Sequence, residues 1–267
     1  MSVNGANGSG PEDDKKIIKF PSLAERDRMR KEELKEEEKA RRQHRKEQKV
    51  LRAANSQPFF KAGNIPPFSR GLAVAFIAVH LLLYLFLDAG GRLQAFYSFG
   101  FVPGIFTGAY EWNWVAPLTL VTYAFLHGSW LHLFFNAVMG LVLGMFLEKI
   151  YGARVTAIFF TVCTLCGALL YFILDPFSIT PVVGASGAIS GFFGALIYIT
   201  ITQNAQHPVT QRFGRRGPWP MLIFWGLFIV VPGVLLGGAS MAWQAHLGGY
   251  IGGVALISAM QKGKIRL

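Results

Sequence analysis

The chain has 267 residues, 52% of them hydrophobic and 15% charged, where a water-soluble domain sits near a quarter charged, so most of it does not face water. Residues 1–57 hold 15 Lys/Arg and 11 Asp/Glu, which leaves 11 basic and 4 acidic residues for the other 210. An ordinary cytosolic enzyme is excluded, and so is nucleic-acid binding as the meaning of the +11 net charge: the tail's balance is only +4, and the rest lies at the ends of apolar segments, where basic residues orient membrane helices.

The pattern predicts two parts, a charged cytoplasmic tail over 1–57 and a membrane core over 58–267. No basic-then-apolar leader stands near Met1, so no cleavable signal peptide is expected. Residues 1–12, rich in Gly, Asn and Ser, read as disordered. From Ser22 to Ala54 the tail is rich in Glu, Lys, Arg and Ala, with Glu32 and Lys35, and Glu38 and Arg41 or Arg42, at helical spacing. Apolar residues are too sparse there for a heptad seam, so a solvated helix is expected.

Apolar runs of spanning length follow at 71–88, 130–147, 155–174, 185–202, 219–237 and 241–260. At about 1.5 Å per residue each can cross a hydrocarbon layer of about 30 Å with help from its flanks. The expected fold class is therefore an all-α polytopic bundle of six transmembrane helices, with both termini on one side. Lys61, Arg70, Lys149, Arg154, Arg212, Arg215, Arg216, Lys262, Lys264 and Arg266 fall on that side together with the tail, whereas the alternate loops contain only Arg92. The positive-inside rule makes both termini cytoplasmic. Pro117–Lys149 is apolar throughout but too long for one crossing, and should divide near Gly128 and Ser129. The loop before it carries Tyr97, Tyr110, Trp112 and Trp114, interface-favouring aromatics that place it partly in the outer leaflet.

Polar side chains within such spans are costly and by default mark function. Here they are His80, His132, Asn136, Ser186, Ser190 and His246, with His127 just outside. The topology puts His132, Asn136, Ser186 and His246, from three helices, at a similar depth near the outer face. His132 and Asn136 are i and i+4 and share a helix face, able to present two donors to one point or to bond across helices as glue. Ser186 lies in VVGASGAISG, where Gly184 and Gly187 leave room for a substrate, although small residues also serve plain helix packing. His246 begins HLGGYIGG, and Gly249 and Gly253 form a small-xxx-small pair matched by Gly187 and Gly191. Two such faces bring helix backbones close, as a Ser to His hydrogen bond requires.

The carboxylates of residues 58–267 are Asp88, Glu111, Glu148 and Asp175, each expected at a helix end or in a loop. A Ser-His-Asp triad is thereby disfavoured and a Ser-His dyad remains. There is no HExxH motif, and His127 with His132 at i, i+5 share no helix face, so no metal and no cofactor are expected. Cys163 and Cys166 read as buried packing residues rather than a redox pair or a disulfide framework.

The segments HGSWLHLFFN (127–136), GASG (184–187) and AHLGGYIGG (245–253) resemble, in order and on the second, fourth and sixth helices, the rhomboid intramembrane serine proteases. The resemblance covers about 68–262 and implies Ser186 as nucleophile and His246 as general base. It further implies that Asn136, His132 and the Ser186 backbone N–H line the oxyanion hole, that His127 has a structural role, and that the partners are the lipid bilayer and transmembrane protein substrates, not nucleic acid. A core with no seventh span resembles the prokaryotic branch, which implies a multi-pass protein of the bacterial inner membrane. Two departures stand out. Glu111-Trp112-Asn113-Trp114 replaces the family's frequent Trp-Arg pair, and Ser190 stands where many members carry an aromatic that packs on the histidine. The alternative reading is a catalytically silent relative that holds transmembrane clients; a small transporter is disfavoured because no paired acidic residues line the interior.

Overall fold

The computed structural model describes residues 22–56, 65–202 and 242–265, together with Trp219, Ile223, Trp225 and Gly226. The segment read as disordered, 1–12, and most of the fifth predicted span, 219–237, lie outside the described residues. The chain forms two compact units, Met1–Lys61 and Ala62–Leu267.

The first unit contains helix α1, Leu23–Ser56. Ser22 and Glu25 start it as a capping box: the Ser22 hydroxyl accepts from the Glu25 N–H at 3.3 Å, and the Glu25 carboxylate accepts from the Ser22 N–H at 2.7 Å. That backbone bond, helped by the hydroxyl, holds the Glu25 carboxyl below its usual range. Exposed i, i+4 ion pairs join Glu37 to Arg41 and Glu38 to Arg42.

The second unit is all-helical among the described residues, apart from one isolated antiparallel bridge between Phe101 and Val182. Helix α2, Pro67–Phe86, begins with proline at its first position, where the missing N–H costs nothing. The predicted outer loop is not irregular. It holds α3 (Ala89–Phe99), α4 (Pro103–Thr107), α5 (Ala116–Thr122) and a 3₁₀ turn, Tyr123–Phe125. Asp88 caps α3 by accepting the Gly91 N–H at 2.7 Å, a start signal that the aromatic content of the segment overshadows.

Chain division near Gly128 and Ser129 is observed: Ser129 caps α6, Trp130–Leu174, by accepting from the His132 N–H. This 45-residue helix is broken at Gly152, whose φ of 84° and ψ of 168° suit glycine and leave two arms that correspond to the second and third predicted spans. Helix α7, Ser186–Thr202, is buried along nearly its whole length and packs against α6 and against α8, Trp243–Gln261. Helices α2 and α8 also pack on α6. Among the described residues α2 and α6 are long and apolar enough to cross a membrane, and α7 is a shorter apolar helix. Leu85, Phe86, Leu131, Phe134, Leu169 and Ile173 remain exposed on their outer faces, a distribution suited to lipid rather than water.

Glu148 lies in the last turn of the first arm of α6, the helix end expected, and is buried there. Its carboxylate accepts the N–H groups of Phe68 and Ser69 at 2.9 and 2.8 Å and the Ser69 hydroxyl at 2.7 Å. A side chain 80 residues away thus satisfies the free donors of the first turn of α2, the helix end that favours negative charge.

Candidate active site

Three helix N-terminal ends converge. Ser186 is the first residue of α7, His246 the fourth of α8, and His132 and Asn136 the third and seventh of α6. The Ser186 Oγ lies 2.6 Å from the His246 Nε2. That approach depends on how closely α7 and α8 pack: the Gly249 Cα faces the Gly187 carbonyl so tightly that a Cβ at 249 would lie 2.6 Å from the carbonyl carbon, and Gly253 meets Gly191 in the same way.

Gly184, with φ of 117°, turns the chain into α7 in a conformation L side chains rarely adopt. A Cβ there would lie 2.6 Å from the His132 Nε2 and 3.7 Å from the Asn136 Nδ2, so both side chains reach the backbone just ahead of Ser186. The Asn136 amide is buried and donates one N–H to the His132 carbonyl at 3.0 Å, leaving its second for another acceptor. The His127 ring stands 5.2 Å from that of His132 and 5.2 Å from that of Phe76, and 6.5 Å from that of His80. It is fully buried. Burial foremost, then the neighbouring His132 and His80, pushes its pKa down to about 3, so it is neutral at physiological pH. The His246 Nδ1 is buried without a hydrogen-bond partner among the described residues. Ser186, His246, His132 and Asn136 line one cavity of about 650 Å³, walled also by Phe135, Met139 and Phe193.

Two lining residues escape a reading of the sequence. The Tyr123 hydroxyl donates to the Thr164 carbonyl at 2.8 Å, while its own carbonyl accepts the Gly184 N–H at 2.8 Å. It thereby ties the outer segment to both the second arm of α6 and the turn before Ser186. Trp225 donates its indole N–H to Ser190, and its ring packs at a tilt against that of Tyr250. Its signal is faint, a tryptophan within one more apolar run. Cys163 is buried against α7, where Gly191 leaves room for its sulfur, and Cys166 is half-buried; both thiols are free.

The rhomboid family model, described as Rhomboid domain, matches residues 111–262. The chain belongs to that family of integral membrane proteins. It is similar to the rhomboid protease GluP of Bacillus subtilis (strain 168), 26% identical over 188 residues that cover 69% of this chain and 34% of the relative. Rhomboid-like protease 5 of Toxoplasma gondii is 32% identical over 131 residues, covering 49% and 14%. RHOMBOID-like protein 5 of Arabidopsis thaliana is 34% identical over 83 residues, covering 31% and 27%. The matches thus span about a third or less of these relatives' own length.

Proposed function

We propose that the protein is an intramembrane serine endopeptidase that cleaves transmembrane-segment substrates near the outer membrane face through a Ser186–His246 dyad. The observation that carries this reading is the 2.6 Å contact between Ser186 Oγ and His246 Nε2 at the wall of a cavity shared with His132 and Asn136.

His246 takes the Ser186 proton on Nε2, which makes the neutral ring an Nδ1–H tautomer, and the freed oxygen attacks a peptide carbonyl. The resulting oxyanion is met by the Asn136 amide, by His132, and by the Ser186 backbone N–H, which at the first position of α7 has no partner within its helix. Donors of this kind are each worth about 3 to 4 kcal/mol when aimed at charge that develops in the transition state. His246 then returns its proton to the leaving amine. Water, activated by the same imidazole, hydrolyses the acyl-enzyme and restores the Ser186 hydroxyl. With no carboxylate on Nδ1 among the described residues, the imidazolium is stabilised by its surroundings, and the pair works as a dyad.

The reading includes six spans with both termini cytoplasmic, which the alternation of basic residues supports. Labelling of Arg212–Arg216 from outside would overturn that topology. A multi-pass location in a bacterial inner membrane, with the bilayer and transmembrane proteins as partners and no cofactor, completes the reading. Its test is direct: a fluorophosphonate should label Ser186 in the purified protein, and Ser186→Ala and His246→Ala should abolish cleavage of a single-span substrate in proteoliposomes while the protein stays folded. Turnover that survives in Ser186→Ala refutes the dyad, and capture of uncut substrate by the unaltered protein would favour the silent client-binding alternative.

A further inference from the structure

Ser190 lies one helical turn beyond Ser186 on α7, and Tyr250 one turn beyond His246 on α8, so the two form a second rung beside the dyad. Trp225 closes that rung. Its Nε1–H donates to the Ser190 Oγ at 3.2 Å, and its ring lies tilted on that of Tyr250, with centroids 4.7 Å apart and 33° between planes. Ser190 is only 1% exposed, and Trp225, Ser190, Ser186 and His246 line the same cavity.

This arrangement answers a need that the dyad leaves open. Among the described residues the His246 Nδ1 has no hydrogen-bond partner, so none of them orients the ring through that nitrogen. The glycine contacts at 187 with 249 and at 191 with 253 set how near α7 and α8 approach, but glycines carry no side chains to interlock, so they oppose sliding and rotation weakly. An indole bonded to one helix and packed at a tilt on the other opposes both.

We infer that Trp225 is a positioning residue of the site: near the dyad it holds the register of α7 against α8, and hence the Ser186–His246 geometry, from a third segment of the chain, while the Tyr198–Ser258 hydrogen bond joins the same helices farther from the site. The inference rests on the dyad reading above. Ser190 is then the anchor for an indole N–H, not a second attacking hydroxyl, and the indole packs on Tyr250, one turn from His246.

The experiment uses the full chain in proteoliposomes and reads kcat, KM and the rate of fluorophosphonate labelling of Ser186, which needs no substrate binding. Trp225→Ala should lower kcat and labelling about tenfold or more with KM nearly unchanged, since loss of alignment acts on the reacting atoms. Trp225→Phe and Ser190→Ala each remove the same hydrogen bond, so their losses should be equal, smaller, and no worse when combined. Absence of labelling in the unaltered protein overturns the dyad and this inference together. Labelling of the unaltered protein, with Trp225→Ala also at the unaltered rate, overturns this inference alone. Should Trp225→Ala fail to fold, the Trp225→Phe and Ser190→Ala pair decides: fully additive losses overturn it.

Discussion

A single methyl group at residue 249 should separate the two reacting groups. In Gly249→Ala the new Cβ points at backbone: it would lie 2.6 Å from the Gly187 carbonyl carbon and 3.2 Å from the Gly187 Cα, with the carbonyl oxygen closer still. A flexible side chain could swing aside; a helix backbone cannot. Ordinary carbon contacts need about 3.5 Å, so α7 and α8 must part by roughly 1 Å at this level. Gly187 adjoins Ser186, and Gly249 lies less than one turn from His246, so the 2.6 Å dyad contact opens to roughly 3.5 Å, beyond hydrogen-bond range. Misplacement of about 1 Å commonly costs on the order of a hundredfold in rate, and overpacking adds about 1 to 3 kcal/mol of destabilisation. The assay is turnover of a single-span substrate in proteoliposomes, normalised to folded protein, with Gly71→Ala as the control because a Cβ at 71 meets nothing within 4 Å. Gly249→Ala with activity equal to Gly71→Ala would refute the close-packing argument.

Asn136→Ala should lower kcat by roughly one hundred to one thousand fold with little change in KM, because the amide would act only on transition-state charge; steady-state kinetics with a loss confined to KM would instead make Asn136 a binding or structural residue. Glu148→Ala strands two backbone N–H groups and a hydroxyl at the start of α2, and thermal unfolding in detergent should show a loss of about 2 to 4 kcal/mol; an unchanged midpoint would refute the capping role. His127 carries a folded pKa of about 3 against about 6.5 when unfolded. Only the unfolded state takes up this proton as pH falls from about 6.5 towards 3, so stability should decline through that window by up to about 1.4 kcal/mol per unit and level off below it. His127→Leu should flatten the profile measured by unfolding at stepped pH, and an unchanged slope would assign the acid sensitivity to other groups.

Where the sequence was informative, a local violation of chemistry made it so. His132, Asn136, Ser186 and His246 stand out because lipid-compatible helices rarely contain such groups, and the paired glycines follow from the closeness a Ser–His bond needs. The break within 130–174 was legible through Lys149 and Arg154, and the structure places it at Gly152. What escaped depends on partners distant in the chain. The Trp225–Ser190 bond spans 35 residues and the Glu148 cap 80, and neither side chain violates a local pattern strongly enough to reveal its role. The helices α3 to α5 were hidden for a different reason. Interface aromatics announced a location, and the Asp88 cap, the proline at the start of α4 and the proline in the first turn of α5 were the quieter conformational signals.

The meeting of three helix beginnings at the site makes it redundant in one respect and unforgiving in another. Helix α8 starts at Trp243 with no side-chain cap from Ala242, and α7 starts at Ser186 itself, so first-turn main-chain donors and the positive ends of helix dipoles lie around the position where negative charge would form. Main-chain donors survive any side-chain replacement. Losing His132 therefore still leaves a field that favours an anion, and substitutions among the donors should degrade performance in steps rather than at a stroke. The proposed proton route has no such reserve: it would run through one oxygen and one nitrogen, with no third member among the described residues to correct a misplaced ring. Variation accumulating in a chain of this design should spare Ser186, His246 and whatever aligns them, while tolerating exchange among the groups that cradle the charge.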